Sequence, residues 1–319
     1  MGVPGFYKWL VQRYPLIRRR LNDVPKPKID NLYIDFNCII YNSLQNVLST
    51  EAPYTILFQE VCRFLDVLIQ SIRPQCLVFI AVDGPAPFAK CTQQRARRFV
   101  SARDHVRGSF DTTQISVGTE FMELLHEFLL NYIKEKTSND PVWQLPEIVY
   151  SPHRSPGEGE HKFFNFIRTN LNNGNITSNI SHCIYSPDAD LLFLGLQTRL
   201  PYFYILREWD GWIGPNERVG NGKLNKLKST DLDFELINLH IVREFLQLDY
   251  PNIEDINKII DDFATFSFLI GNDFIPHFPD VVIQSGQFTN VVQTYQRTIM
   301  GKKFIVEDGK INKKTLKEF

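Results

Sequence analysis

The sequence predicts an α/β protein, a three-layer sandwich around a mainly parallel sheet, followed by a helical C-terminal part. Short runs that are apolar on both faces alternate with segments of helical periodicity, as in sheets covered by helices. From Asp231 onward the pattern is mostly helical. The chain has 319 residues, of which 43% are hydrophobic and 22% charged, so it can bury a sizeable core.

Five apolar runs are predicted to be buried strands because they are rich in β-branched and aromatic residues. They are residues 32–34, 77–82, 148–150, 182–185 and 202–206. Between the second and third runs, apolar residues recur at helical spacing and predict a helix: Phe121, Leu124, Leu125, Phe128, Leu129 and Tyr132. This alternation of strand and helix favours parallel strands joined by crossover helices.

Charge and cysteine content exclude several classes of protein. Lys plus Arg is 35 and Asp plus Glu is 36, so the net charge of −1 does not indicate a polyanionic partner by itself. The five cysteines have no CxxC spacing, which indicates neither a zinc site nor a disulfide framework. Without a cationic leader or a long uncharged apolar run, we expect no membrane span and an intracellular protein, cytoplasmic rather than nuclear.

Acidic side chains follow the predicted strands with unusual regularity. The stretch SPGEGEHKFF places two glutamates on either side of a glycine just before an apolar run. Other acids come directly after strands or interrupt an apolar segment, and the full set is Asp35, Asp83, Glu158, Glu160, Asp188, Asp190 and Asp273. Because functional groups of open α/β sheets collect outside the carboxyl ends of the strands, we expect these acids to converge.

Converging carboxylates need a counter-charge. Two unit charges 4 Å apart repel by about 4 kcal/mol at an effective dielectric constant of 20. Hard oxygen ligands select Mg²⁺ or Mn²⁺, and two such ions form the known clamp for in-line phosphodiester cleavage. A single aspartate could instead cap a helix or turn. A DxD motif can occur by chance, and it is also found in phosphatases and glycosyltransferases. The repeated placement after strands favours the two-metal interpretation.

A basic stretch follows Asp83 by seven residues. Residues 90–107 contain six basic side chains against one acid, Asp104. On a helix, Lys90, Gln94, Arg97 and Arg98 share one face. A lysine, an amide and two guanidinium groups suit a terminal phosphate. The alternative is a solvated basic helix face, but the position beside the acids favours a phosphate pocket.

At these residues the sequence resembles the 5′-to-3′ exoribonuclease (Xrn) family of the PIN-like/flap-endonuclease superfamily. The matching motifs occur in family order as far as about Pro279. They are MGVPGFYKWLVQRYP, NLYIDFNCII, DGPAPFAKCTQQRARRF, PGEGEHKFFNFIR, DADLLFLGL, FELINLHIVREFL and FLIGNDFIPHFP. The resemblance implies a PIN-like 5′-nuclease fold.

The resemblance also implies roles for the residues singled out above. The seven acids correspond to the family's metal-binding catalytic residues, and the four residues of the basic face correspond to its pocket for a 5′-monophosphate. Tyr41 stands where the family usually has a histidine that stacks on the first base. An aromatic plane at this position still allows base stacking. His161 and His277 adjoin the acidic motifs, but we do not expect them to be ligands.

The resemblance implies a domain organisation as well. We expect residues 1–230 to form the α/β nuclease core and residues 231–319 a helical extension that contributes Asp273, giving one compact catalytic domain. Family members continue into a second conserved segment with a tryptophan partner for the stacked base, whereas this sequence ends at Phe319. The alternatives are a minimal enzyme, a shortened chain, or a protein partner that supplies the missing segment.

The function expected is a metal-dependent 5′-to-3′ exoribonuclease. It would degrade single-stranded RNA with a 5′-monophosphate to mononucleotides. Two other functions stay open at this point: a catalytically weak RNA-binding or scaffold relative, and a structure-specific DNA 5′ nuclease.

Overall fold

A computed structural model describes residues 3, 5–22, 25–46, 54–103, 110–209, 212–214, 217–218, 232–299 and 303–319. The chain divides into two compact units. The sheet unit comprises Arg20–Pro187 and Leu206–Glu235, and the helical unit comprises Met1–Arg19, Asp188–Ile205 and Leu236–Phe319. The expected domain boundary between residues 230 and 231 lies outside the described residues.

The strands and helices have the following bounds. The strands are Arg18–Arg20 (β1), Asn31–Asp35 (β2), Leu77–Ala81 (β3), Glu147–Ser151 (β4), His182–Tyr185 (β5), Phe203–Glu208 (β6), Trp212–Gly214 (β7), Glu217–Arg218 (β8), Phe234–Asn238 (β9), Val306–Glu307 (β10) and Lys310–Ile311 (β11). The α-helices are Phe6–Arg13 (α1), Phe36–Asn46 (α2), Tyr54–Ile72 (α3), Phe88–Arg103 (α4), Glu120–Asn139 (α5), Pro141–Gln144 (α6), Gly159–Asn172 (α7), Asp190–Gln197 (α8), Leu239–Asp249 (α9), Ile256–Leu269 (α10), Gln287–Ile299 (α11) and Lys313–Glu318 (α12). None of the described helices combines the length and the hydropathy needed to cross a bilayer.

Seven strands form one mixed, mostly parallel sheet in the order β1-β9-β6-β5-β2-β3-β4, with helices on both sides. Strand β2 is parallel to β3 and to β5, and β3 is parallel to β4. The predicted α/β class is therefore confirmed, and each of the five predicted strands is present. Strands β1 and β9 were not predicted, and β9 precedes the helices of the C-terminal part.

The core of the sheet unit contains the central strands, whose side chains are buried on both faces. Leu32, Ile34, Val78 and Ile80 have no exposed surface. Parallel strands are buried in this way because their crossover helices cover the sheet. The predicted helix at 121–132 is present as part of α5, and the basic stretch forms α4 as far as Arg103, with residues 104–107 outside the described part.

The helical unit has a core of aromatic side chains. The rings of Phe6 and Phe193 stack with their centroids 4.2 Å apart, and Trp9 meets Phe288 edge-on at 4.8 Å. The indole N–H of Trp9 donates a hydrogen bond to Thr289 Oγ1 at 3.0 Å, so its polar edge is satisfied inside this core. Helix α1 is thereby fixed to α8 and α11 within the unit.

Candidate active site

Asp35 and Asp83 stand at the carboxyl ends of the two neighbouring strands β2 and β3. Asp35 is the last residue of β2 and is paired in register with Ala81, the last residue of β3. Asp83 follows two residues later, and its backbone N–H donates to Asn37 Oδ1 at 3.1 Å. The first turn of α2 therefore holds the backbone of Asp83 at the edge of the sheet where β2 ends.

The segment after β3 pairs with the loop that leads into α7. The backbone N–H of Gly84 donates to the carbonyl of Gly157 at 2.9 Å, and the N–H of Gly157 donates to the carbonyl of Pro85 at 2.9 Å. A Cβ on Gly84 would lie 1.7 Å from the carbonyl oxygen of Ser155, so the close approach of the two backbones requires glycine here. This pairing carries the two glutamates of the GEGE motif to the end of β3.

Gly159, the residue between those glutamates, explains their spacing. It begins α7, and its N–H donates to Asp83 Oδ1 at 2.7 Å. A Cβ at this position would lie 3.1 Å from the carbonyl oxygen of Ala81 and 3.2 Å from Asp35 Oδ1. The glycine thus lets the positive end of a helix dipole approach both aspartates. Glu158 is buried and Glu160 is half-buried on either side of it.

Two lysines offset part of this negative charge. Burial, together with the nearby Glu158 charge, raises the pKa of Asp83, whereas the Gly159 hydrogen bond, Lys90 and Lys162 oppose that rise. The ammonium group of Lys162 donates to the carbonyls of Val82 at 2.6 Å and Pro152 at 2.8 Å. Burial lowers the pKa of Lys162 to about 8, against the opposing effect of Asp83.

Sequence reasoning missed Lys162. The available signal was its place on the apolar face of α7, where Gly159, Phe163 and Ile167 are also buried. A lysine on such a face needs buried acceptors, and here two strand-end carbonyls supply them.

The basic face of α4 reaches the same glutamate. Lys90 Nζ lies 3.0 Å from Glu158 Oε2, and both side chains are buried. Gln94 Nε2 donates to Glu158 Oε1 at 3.4 Å, and Arg98 Nη2 donates to Gln94 Oε1 at 3.4 Å. Arg97 is exposed. Of the four residues predicted for the phosphate pocket, Lys90 and Gln94 therefore contact Glu158 directly, and Arg98 is connected to it through Gln94.

Tyr41 is affected by charges of both the basic face of α4 and the strand-end acids. It is 39% exposed. Burial raises its pKa, Arg97 and Arg98 oppose the rise, and Asp83 adds to it. The ring of Tyr41 is thus partly exposed, and its hydroxyl is near enough to Arg97, Arg98 and Asp83 for their charges to affect its pKa.

Ser186 also belongs to this site. It follows β5, is buried, and its hydroxyl donates to Asp35 Oδ2 at 2.9 Å. The end of β5 therefore helps to orient the carboxylate at the end of β2.

Glu158, Glu160 and His161 could share a cation within the described ranges. Each offers one ligand atom, and these atoms lie within 4.8 Å of one another. His161 Nδ1 is 3.8 Å from Glu160 Oε1, and the imidazole is exposed. The geometry makes His161 a possible ligand, a role that the sequence analysis did not expect.

The other three acids form a group in the helical unit. Asp190 begins α8, and Asp188 precedes it by two residues. Asp273 lies in the turn after α10, where Gly271 has φ +78° and Asn272 Oδ1 accepts the N–H groups of Phe274 and Ile275. The apolar run of the sequence is therefore a helix that ends before Asp273, which is why a charge is tolerated there.

The surroundings of Asp190 disfavour its charged form. Burial, Asp188 and Asp273 raise its pKa to about 6. Its Oδ1 atom is buried without a hydrogen-bond partner among the described residues. Buried carboxylate oxygens are normally hydrogen-bonded or bound to a cation, so this atom fits a metal ligand.

Two family models match this chain. The XRN 5′-3′ exonuclease N-terminus matches residues 1–209, and the Xrn1 helical domain matches residues 253–319. The chain belongs to the XRN 5′-3′ exonuclease family, as the motifs predicted.

Curated relatives match along the whole chain. The 5′-3′ exoribonuclease 1 of Saccharomyces cerevisiae is 36% identical over 344 residues, which cover 99% of this chain and 22% of that protein. The Homo sapiens 5′-3′ exoribonuclease 1 is 36% identical, over 98% of this chain and 20% of its own length. The 5′-3′ exoribonuclease 2 of Arabidopsis thaliana is 33% identical, over 100% of this chain and 39% of its own length.

The chain therefore spans between about a fifth and two fifths of the length of these relatives.

Among solved structures, the catalytic core of Rad2 in complex with a DNA substrate has a TM-score of 0.45 and 17% identity, over 96% of this chain and 82% of that chain. That similarity is too low to support a conclusion about function.

Proposed function

We propose that this chain is a divalent-metal-dependent 5′-to-3′ exoribonuclease that degrades 5′-monophosphorylated single-stranded RNA to mononucleotides. Membership of the XRN family and the names of the curated relatives support this proposal. The seven acids and the basic face of α4 supply residue types that such a reaction requires.

One observation carries the proposal most directly. The loop at Glu158 and Gly159 joins the basic face of α4 to the acids at the strand ends: Glu158 contacts Lys90, and the next residue contacts Asp83. A terminal phosphate held by the basic face would thus be gripped beside carboxylates that can hold metal ions. An acidic cluster or a basic helix face alone would be weaker support.

The residues present fit Mg²⁺ or Mn²⁺. These ions prefer oxygen ligands, and we propose that each of the two acidic groups holds one ion. The ligands in the sheet unit would be Asp35, Asp83, Glu158 and Glu160. Those in the helical unit would be Asp188, Asp190 and Asp273, and the orphaned Oδ1 of Asp190 suits this role. Bound divalent ions supply an activated water and neutralise charge on the leaving oxygen.

The remaining side chains would bind and orient the substrate. Arg97 and Arg98 suit the phosphate because a guanidinium group donates two parallel hydrogen bonds to its oxygens. Gln94 and Lys90 add donors on the same face, and Lys90 also neutralises Glu158. We propose that the ring of Tyr41 stacks on the first base, because it is exposed and near enough to these arginines for their charges to affect its pKa.

A comparison of 5′ ends tests this function. The chain is incubated with one RNA that carries a 5′-monophosphate, a 5′-hydroxyl or a cap, in Mg²⁺, Mn²⁺ or EDTA. We expect single nucleotides to be released from the 5′-monophosphate RNA only, and only with metal. Equal decay of all three ends would reject the phosphate pocket.

Two further arms separate the alternatives. Binding of RNA without metal-stimulated release of nucleotides would indicate a scaffold relative. Preferential cleavage of a flap DNA substrate would indicate a DNA 5′ nuclease. Asp83→Asn serves as the inactive control, because it removes a charge of the acidic group while keeping the shape of the side chain.

A further inference from the structure

Helix α4 has a second face that the proposed phosphate pocket does not use. Lys90 and Gln94 point to Glu158 from one side of the helix. At 100° per residue, Phe88, Arg95 and Phe99 fall within about 40° of one another on the opposite side. The two faces of one helix thus carry different sets of side chains.

The side chains of this second face are exposed. Phe88 is 89% exposed and Phe99 is 70% exposed, although phenylalanine is among the residues most often buried. Arg95 lies between them and is also exposed. The two rings are separated along the helix axis by about 16 Å, since each residue rises about 1.5 Å.

The charge of α4 indicates what could cover these rings. The helix sequence FAKCTQQRARRFVSAR contains five basic residues and no acid. Such a helix attracts a polyanion and repels other cationic surfaces. Helix α4 therefore complements the phosphate backbone of a nucleic acid.

The spacing of the aromatic residues favours bases over a protein helix. A helix that docks into an apolar groove of a protein partner presents an apolar side chain at every turn. Between Phe88 and Phe99, the intervening turns of this face carry Thr92 and Arg95 instead. Isolated aromatic rings alternating with a guanidinium group are typical of surfaces that stack the bases of single strands.

We propose that Phe88, Arg95 and Phe99 form an aromatic surface that binds single-stranded RNA downstream of the 5′ nucleotide. This inference rests on the proposed function, because it assigns the same strand to both faces of α4. Phe88 and Phe99 stack on bases, and Arg95 contacts a phosphate between them. With about 3.4 Å per stacked nucleotide, the surface spans about five nucleotides.

The test compares protein with and without the rings and RNA with and without bases. The full chain and a Phe88→Ala/Phe99→Ala variant are titrated in EDTA with a 5′-phosphorylated 20-nucleotide RNA and with an abasic strand of the same length. We expect the wild-type chain to prefer the base-containing RNA and the variant to lose at least about tenfold of that preference. Arg95→Ala should make the negative slope of log K against log salt concentration shallower by about 0.7, because one phosphate contact is lost.

Two controls keep the result interpretable. Phe88→Tyr/Phe99→Tyr retains both rings and should bind like the wild type. Leu248→Ala removes a leucine that is 72% exposed on α9 and should not change RNA affinity. Melting curves confirm that each variant is folded, which is expected because these side chains contribute little to the core.

Several outcomes would overturn the aromatic surface. If the variant bound both strands as the wild type does, or lost affinity for both equally, stacking would be excluded. If the Phe88→Ala/Phe99→Ala variant lost binding to anionic phospholipid vesicles but kept its RNA affinity, the surface would be assigned to a membrane. Base-dependent binding without nucleotide release would reject the proposed function alone, whereas nucleotide release without base-dependent binding would reject the aromatic surface alone.

Discussion

Lys162→Met tests whether a buried ammonium group holds the site together. In the structure this group donates to the carbonyls of Val82 and Pro152, which follow β3 and β4. Val82 is the residue before Asp83 and is itself buried. Methionine has a similar length but cannot donate a hydrogen bond, so both strand ends lose their common partner.

The effect on stability is the difference between two opposing contributions. Two charge-assisted hydrogen bonds stabilise a protein by about 1.5–3 kcal/mol each, so their loss costs about 3–6 kcal/mol. Burial lowers the pKa of Lys162 from 10.5 to about 8, so methionine relieves a desolvation cost of about 3 kcal/mol. We expect a net loss in the free energy of unfolding of about 1–2 kcal/mol.

The effect on activity should be larger than the effect on stability. Lys162 also opposes the rise in the pKa of Asp83, so its removal both frees the backbone beside this carboxylate and favours its protonation. We expect the rate of RNA hydrolysis to fall by at least about tenfold, which corresponds to about 1.4 kcal/mol in the transition state.

Urea unfolding without metal and single-turnover hydrolysis with saturating Mn²⁺ measure the two effects separately. Lys162→Gln is the matched control, since its amide keeps a donor for one carbonyl without the charge. It should recover part of the stability and less of the activity. If Lys162→Met unfolded at the wild-type urea midpoint and hydrolysed RNA at the wild-type rate, the ammonium group would have no part in positioning Asp83.

Three other changes have defined outcomes. Asp190→Asn should raise the free energy of unfolding of the metal-free chain by up to about 3 kcal/mol, because it removes a buried charge whose pKa is raised from 3.8 to about 6. It should also abolish Mn²⁺-dependent hydrolysis, and activity near wild type would exclude Asp190 as a ligand. Arg97→Ala or Arg98→Ala should reduce the preference for a 5′-monophosphate over a 5′-hydroxyl, measured as a ratio of kcat/KM, by about 1–3 kcal/mol, whereas Arg95→Ala on the opposite face should keep that ratio. Burial lowers the pKa of His182 to about 4 from an unfolded value of 6.5, so the unfolded state binds more protons between these values and acid destabilises the fold. From pH 7.5 to pH 5 the His182 contribution should fall by about 2 kcal/mol, and His182→Gln should flatten this part of the pH profile; an unchanged profile would contradict the assignment.

The sheet and the strand-end acids could be predicted because their signals are local. Apolar runs of strand length, each followed by a carboxylate, define both the strands and the edge at which the acids of the sheet unit stand. The structure adds the register of β2 with β3, in which Asp35 pairs with Ala81. The shared face of Lys90, Gln94 and Arg98 follows from helical periodicity alone.

The contacts that orient these acids could not be predicted because they join residues far apart in the sequence. The hydroxyl of Ser186 reaches Asp35, and Lys162 reaches carbonyls beyond two different strands. The Ser186 contact leaves no periodic pattern, and the helical periodicity of α7 indicates that Lys162 is buried but not which carbonyls accept its hydrogen bonds. Lys90 was expected to bind phosphate, and only the folded chain reveals that it also neutralises Glu158.

Charge balance links these contacts to metal binding. In the sheet unit, the four proposed carboxylate ligands and the ammonium groups of Lys90 and Lys162 leave a nominal charge of −2. One divalent ion would neutralise that charge, and in the helical unit Asp188 and Asp273 raise the pKa of Asp190 to about 6, so an ion there would relieve repulsion among the three aspartates. Because the lysine charges offset half of the first group below the Lys162 pKa of about 8, we expect the chain to fold without metal at neutral pH and to bind its ions afterwards.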